Sequence, residues 1–240
     1  MKPQLSTDLL AALRRLDTCT VANAVERLET RLRNEGYMAG TIRCLTPGNP
    51  PLVGFAVTVK MRCSSPPPLG ERSYLDRTDW WQVLEKTPAP RVVVVEDVED
   101  VPGRGSLVGA VHCAVLRSLG CVGVITNGAV RDVAHVRTLG FGLFAGSLCP
   151  SHAYAHIVSV GDAVRVGGLV VRTGDLLHGD EQGVVNVPLE KAVEIPRLAR
   201  GILAQERRVL EHCQSPEFSV RRLAEILASA PVAETHSSHD

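Results

Sequence analysis

The sequence predicts an α/β protein in which parallel β-α-β units are followed by a β-meander and C-terminal helices. Three observations carry this reading. Arg91–Asp97 (RVVVVED) and residues 120–126 (GCVGVIT) are short, continuously apolar runs of the kind that form strands buried on both faces. Residues 106–119 are almost wholly apolar and read as a helix between them, with residues 132–139 as the next helix. Beyond Ala145 the apolar runs shorten and are punctuated by Gly and Asp, the signature of hairpins.

Taken in chain order, residues 5–33 place Leu9, Leu10, Leu13, Leu16, Val21, Val25 and Leu28 at helical intervals, with a break expected at 18–23. Residues 54–60 (GFAVTVK) read as a strand, and the proline-rich residues 64–77 as a loop that could cover a site. The strand at 120–126 is expected to end at Asn127-Gly128, and residues 141–145 form the next strand. Residues 156–160, 163–166, 169–171 and 183–187 supply the meander, and residues 174–175 and 180–183 its turns. Pro196 suits the first turn of a helix that reaches about Cys213, and a shorter helix follows at 219–227. The expectation is one domain over residues 1–228 and a disordered tail over 229–240.

Twenty-six Lys and Arg balance twenty-six Asp and Glu in 240 residues, so no global field recruits nucleic acid or an anionic membrane. Aromatic residues are only 4%, which leaves the core to aliphatic side chains. Seven cysteines contain no CxxC pair and are odd in number, arguing against a zinc knuckle or a closed disulfide set and for a reducing cytoplasm. With no export signal and no run of eighteen apolar residues, a soluble cytoplasmic protein is expected. Gly-x-Ser-x-Gly, Walker and HExxH patterns are absent, and Gly103-Arg-Gly105 is no dinucleotide fingerprint.

The candidate chemistry sits where apolar runs end. Arg131-Asp132 opens a helix just after a buried strand, at the carboxyl edge of the sheet where ligands collect. The bland alternative is a first-turn acid and a surface ion pair. Residues 109–112 (Gly-Ala-Val-His) offer a second helix start, where a residue without Cβ lets a ligand approach free amides; a packing glycine and a core histidine are the competing reading. At about 100° per residue Glu206 falls inside the stripe of Leu198, Ile202, Val209 and Leu210, so it is paired, protonated, or turned to a site or a partner subunit. His152, Tyr154 and His156 alternate and share one face if the chain there is extended, as a polar strand face or, less simply, metal ligands.

With these residues in hand the chain resembles the RraA-like family, which contains 4-hydroxy-4-methyl-2-oxoglutarate aldolases and the regulator of ribonuclease E activity A. The resemblance runs from about Leu9 to Glu206. It rests on residues 109–112, on Arg131-Asp132 after a gap of eighteen residues (113–130), and on residues 170–175 (VVRTGD) and 180–185 (DEQGVV). It implies an α/β/β sandwich of the swivelling-domain type, assembled as a homotrimer or homohexamer. It further implies a metal-dependent lyase acting on small 2-oxo acids, with no nucleic-acid or membrane partner. Gly109, Ala110, Val111 and His112 would bind the substrate carboxylate, Arg131 would hold the substrate, and Asp132 would anchor Mg²⁺ or Mn²⁺. Glu206 would serve a neighbouring subunit's site. The family also implies an alternative, a non-catalytic regulator that binds an RNA-degrading enzyme. His135 stands where the aldolases carry an acid, Ala110 where an acid or amide is common, and the region of a substrate-contacting lysine holds His152, Tyr154 and His156.

Overall fold

Ser6 and Asp17 each accept a hydrogen bond from the amide three residues on, and each opens a helix: α1 (Thr7–Leu13) and α2 (Thr18–Glu26). The break between them lies at residues 14–17 and not at 18–23, because Asp17 binds both the amide and the hydroxyl of Thr20 and so fixes the second start. The computed structural model describes residues 5–67 and 77–229; most of the expected covering loop and the tail beyond Ser229 lie outside them.

The chain continues through β1 (Arg43–Cys44), β2 (Leu52–Arg62), α3 (Arg77–Glu85), β3 (Arg91–Asp97), β4 (Ser106–Val108), α4 (Ala110–Ser118), β5 (Cys121–Val130), α5 (Val133–Thr138) and β6 (Gly142–Leu148). β2, β3, β5 and β6 pair in parallel in that spatial order, as the β-α-β reading requires. Two boundaries differ from expectation. Residues 106–108 form a strand, not the start of a helix. β3 pairs with β5 only as far as Val95 opposite Thr126, and β4 continues alongside with Ser106 opposite Ala129 and Val108 opposite Val130. For the same reason β5 does not stop at Asn127-Gly128: it runs to Val130 across an irregularity between Thr126 and Ala129.

The second half consists of β7 (His156–Val160), β8 (Val164–Val166), β9 (Leu169–Val171), β10 (Leu176–Asp180) and β11 (Gly183–Val187). It is not a self-contained meander. β2 is eleven residues long and buried almost throughout, and its two halves take different antiparallel partners: β10 beside Leu52–Phe55 and β7 beside Val59–Arg62. β10 is masked in the sequence by the stronger turn signals that flank it at residues 174–175 and 180–183. A 3₁₀ turn (Leu189–Glu194) leads into α6 (Ile195–Gln214), with its proline in the first turn, and α7 (Val220–Ala228) follows behind the Ser219 cap.

The uniform apolarity of β2 and β3 has a direct cause, since both faces are covered. Val57, Val59, Val93 and Val95 face a cluster with Trp80 and Leu84 of α3, Leu116 of α4 and Leu143. Ala56, Val92 and Val94 face the other way, onto Val164, Val166 and Val171 of the β8–β9 hairpin. A third cluster joins Leu13, Val21 and Val25 to Phe55, Leu176, Ile195 and Ile202. The aliphatic core is as expected, and all seven cysteines are free thiols. No described helix is long and apolar enough to cross a membrane.

Candidate active site

Two helix starts meet at the carboxyl edge of the parallel strands. β4 delivers Gly109 to the head of α4, and β5, its neighbour, delivers Arg131-Asp132 to the head of α5. The Arg131 amide donates to the Val108 carbonyl at 3.1 Å, so the two segments remain laced together past their last paired strand residues.

Asp132 turns the chain through a left-handed conformation, φ 58° and ψ 31°. For a residue with a Cβ this is uncommon and costs energy, and Asp and Asn tolerate it best. The turn swings the carboxylate away from its own helix, to which it gives no capping bond, and towards the other. Its Oδ2 accepts from the Ala110 amide at 3.1 Å and lies 3.4 Å from Arg131 Nε. Asp132 thus supplies for α4 the side-chain cap that Gly109 cannot. Gly109 is fixed by this approach and not by its own dihedrals, which are extended: a Cβ there would stand 2.6 Å from Asp132 Oδ2 and 2.9 Å from Arg131 Cγ.

The Ala110 hydrogen bond, aided by Arg131, holds the Asp132 carboxyl below the usual carboxylate range, so the group is a charged acceptor. The Arg131 and Asp132 side chains keep 34% and 40% of their surface open to solvent, enough for a ligand to reach both. Arg131 does not swing freely, because its Nη1 donates to the Pro150 carbonyl at 3.1 Å. Asp132 Oδ1 makes no hydrogen bond among the described residues.

The expectation for residues 109–112 is modified in one respect. The Ala110 amide is taken by Asp132, which leaves the Val111 amide as a first-turn donor that the helix cannot satisfy internally. The Val111 side chain is exposed, and the His112 ring is buried edge-on to Trp81 with centroids 6.3 Å apart, so His112 is a core histidine. Cys113 is no nucleophile: burial, with the Asp132 charge added, pushes its thiol up to about 12.

Glu206 lies elsewhere in the chain. It is exposed and lines a groove between α2 and α6 with Asn23, Arg27 and Val209, because the buried face of α6 ends at Ile202 and the helix runs on past the core. His152 and Tyr154 do not share a strand face with His156. β7 begins only at His156, and Ala153 before it adopts φ 46°.

Asn127 and Asp97 position the corner, although the sequence marks Asn127 only as a strand-ending turn and Asp97 only as the end of a buried strand. The Asp97 amide donates to Asn127 Oδ1 at 2.8 Å and Asn127 Nδ2 donates to the Asp97 carbonyl at 3.0 Å, which clamps β5 to the end of β3 at its irregularity. The buried Asp97 carboxylate accepts from the amides of Gly103 at 2.8 Å and Glu99 at 3.2 Å, shaping the loop that leads into β4. Thirty residues separate this pair, and no local motif announces it.

The corner has the donor chemistry for a hard cation as well as an anion. Among the described residues no three His, Cys, Asp or Glu side chains gather, so a closed zinc-type cage is not available. One ionised carboxylate with a free oxygen suits Mg²⁺ or Mn²⁺, which accept few protein ligands and complete their shells with water and substrate oxygens.

The sequence profile of the RraA-like family, described as Aldolase/RraA, matches residues 18–186. The chain belongs to the RraA-like family. That match starts at α2 and ends within β11, and so contains the whole Gly109–Asp132 corner. An uncharacterized protein, MJ0644 of Methanocaldococcus jannaschii, is 30% identical over 162 residues, covering 66% of this chain and 71% of its own. A protein of Halalkalibacterium halodurans named "Putative 4-hydroxy-4-methyl-2-oxoglutarate aldolase" is 24% identical over 186 residues, 77% of this chain and 79% of its own. Among solved structures, an uncharacterized protein from Pseudomonas syringae pv. tomato superposes with a TM-score of 0.72 at 22% identity, covering 94% of this chain and 96% of that one. Streptomyces coelicolor RraAS2, described as an unusual member of the RNase ES inhibitor RraA protein family, gives 0.66 at 24% identity over 88% of this chain and all of that one. These two likenesses concern the mixed α/β fold. The family thus holds proteins named as aldolases and proteins named as nuclease inhibitors.

Proposed function

We propose that this RraA-like chain is a divalent-metal-dependent lyase that cleaves small 2-oxo acids, such as 4-hydroxy-4-methyl-2-oxoglutarate or oxaloacetate, to release pyruvate. The observation that carries this is the left-handed turn at Asp132, which spends backbone energy to set an ionised carboxylate beside a guanidinium and a helix start. The turn caps α4 through Ala110, and it also leaves a charged pair open to a ligand, a salt bridge too exposed to contribute much stability itself.

In this reading Arg131 and the first-turn amide of Val111 bind the substrate carboxylate and orient its 2-oxo group towards Asp132. Asp132 would hold a Mg²⁺ or Mn²⁺ ion, which when bound would supply Lewis-acid polarisation of that oxo group. As the bond between C3 and C4 breaks, negative charge grows on the pyruvate oxygen. The Arg131 guanidinium, fixed by the Pro150 carbonyl, stands ready to stabilise it without reorganising. The same charge develops when oxaloacetate loses CO₂, so one site serves both substrates. The reading includes an α/β/β sandwich, a cytoplasmic location, and a homotrimer or homohexamer in which Glu206 of one subunit orients water in the next.

The test is pyruvate release from oxaloacetate and from 4-hydroxy-4-methyl-2-oxoglutarate with Mg²⁺ or Mn²⁺. Wild-type protein is expected to exceed the free-metal background, and Arg131→Ala to fall at least a hundredfold. Wild-type and Arg131→Ala rates both equal to the metal background would reject the lyase. A second reading, a protein-binding regulator, draws on the exposed Leu210, Val220 and Leu227 of α6 and α7. Capture of a nuclease by wild-type protein, lost in Leu210→Asp, with no turnover would favour it.

A further inference from the structure

The lyase reading leaves one requirement unmet in the corner itself. Cleaving a 4-hydroxy-2-oxo acid needs a base for the proton of the C4 hydroxyl, and Arg131 and the helix amides are donors only. The ionised Asp132 is committed to Ala110 and Arg131, and in the lyase reading it would also hold the cation. Resting on that reading, we propose that His152 is the general base that makes the protein an aldolase for 4-hydroxy-2-oxo acids and not merely a 2-oxo acid decarboxylase.

Three features of residues 150–153 support this. The first is a fixed tautomer. His152 Nδ1 lies 2.6 Å from the Ser106 carbonyl oxygen, which only accepts, so Nδ1 carries the hydrogen and the neutral ring keeps its lone pair on Nε2. Nε2 makes no hydrogen bond among the described residues. The second is the way the segment is held. The Ser106 amide donates to the Ser151 carbonyl at 2.9 Å, the Ser151 hydroxyl accepts from the Ala153 amide at 2.9 Å, and Ala153 sits at φ 46°, a strained conformation for alanine. Gly105 permits the approach, since a Cβ there would lie 2.6 Å from the His152 carbonyl oxygen. A loop serving only as a connection needs none of these devices.

The third feature is placement. Arg131 bonds the Pro150 carbonyl, so guanidinium and imidazole are tied to one short segment. The imidazole is anchored at Ser106, one end of β4, and the amides lie beyond Gly109, the other end. Three extended residues, about 10 Å of chain, separate the two anchors. In the proposed pose a substrate held by its C1 carboxylate at the head of α4 and by Arg131 extends its C4 hydroxyl towards His152.

The step balances. Nε2 takes the C4 hydroxyl proton, the oxygen lone pair becomes the second bond of a new carbonyl at C4, and the C3–C4 bonding pair becomes the enolate of pyruvate. The imidazolium then returns its proton, directly or through water, to C3. Oxaloacetate decarboxylation has no hydroxyl proton to remove and does not need this base.

The experiment compares both reactions in His152→Asn, which retains an N–H for the Ser106 carbonyl but has no basic nitrogen, and in His152→Ala with added imidazole. Cleavage of 4-hydroxy-4-methyl-2-oxoglutarate is expected to fall by about 10²-fold or more in both variants. Imidazole is expected to restore part of it in His152→Ala, and oxaloacetate decarboxylation to change less than threefold. Equal losses in both reactions would make His152 structural, and no loss in either would remove it from the chemistry; each overturns the proposal while the lyase stands. Wild-type decarboxylation without hydroxy-acid cleavage would overturn it in the same way. Wild-type protein inert towards both substrates would instead reject the lyase, and the base with it.

Discussion

At the scale of single residues the account turns on how tightly Gly109, Arg131 and Asp132 are packed. Gly109→Ala introduces one methyl group at 2.6 Å from Asp132 Oδ2, on an extended backbone that alanine adopts without strain. The methyl must displace the carboxylate or the guanidinium, so kcat/KM is expected to fall at least tenfold while the thermal midpoint moves by only a few degrees. Steady-state kinetics beside a melting curve check this, and unchanged kinetics would contradict the packing. Asp132→Asn retains a side chain suited to the left-handed turn but loses the charge, and the metal-dependent rate is expected to drop by a hundredfold or more with the fold intact. Arg131, Asp132 and Gly109 were readable from sequence because each is the residue type its local task demands. The Ala110–Asp132 bond was not, since neither residue announces a partner twenty-two positions away. Glu206 shares its groove with Leu198, Ile202, Val209 and Leu210, the stripe that the helical wheel gives it, but the wheel does not show that α6 runs on past the core and leaves this face exposed.

At the scale of elements, the junction of β3 and β5 sets where Arg131 arrives. Asn127→Ala removes both hydrogen bonds to the Asp97 backbone and leaves that amide and carbonyl seeking partners, at a cost of about 1–3 kcal/mol. Urea denaturation measures the loss, and a matching fall in kcat/KM is expected because the same junction carries the site. The N-terminal helices depend on a second buried contact. His178 is fully buried between the Thr18 hydroxyl and the Leu13 carbonyl, and burial lowers its basicity below the ordinary value of 6.5. The unfolded chain therefore takes up a proton as pH falls through about 6.5 while the folded chain resists, so stability declines on acidification below that point. The urea midpoint is expected to fall between about pH 7.5 and pH 5.5, and His178→Gln to reduce that dependence. An undiminished dependence in the variant would assign it to other groups. Element types for long apolar runs were legible in the sequence. The boundaries at β4 and β5 were not, because strand pairing with a neighbour, and not local composition, decides where those elements start and stop.

At the scale of the whole molecule, the parallel layer was legible from alternating apolar runs, whereas the second half was not a meander because β2 is long enough to capture β7 and β10 from it. The separation of Glu206 from Arg131 within one chain makes oligomerisation a functional question. If Glu206 completes a neighbour's site, mixing inactive Arg131→Ala and Glu206→Gln subunits is expected to regenerate some sites with both residues native and to recover part of the wild-type rate. No recovery from a mixture shown by mass to form mixed oligomers would confine the chemistry to one chain.

The most direct test of the central claim is an anomalous difference map from crystals soaked with Mn²⁺ and pyruvate. The account predicts a manganese peak within bonding distance of Asp132 Oδ1, with pyruvate spanning from the cation to Arg131 and the head of α4. A map with pyruvate bound and no manganese at Asp132, or manganese bound only at other residues, would contradict it.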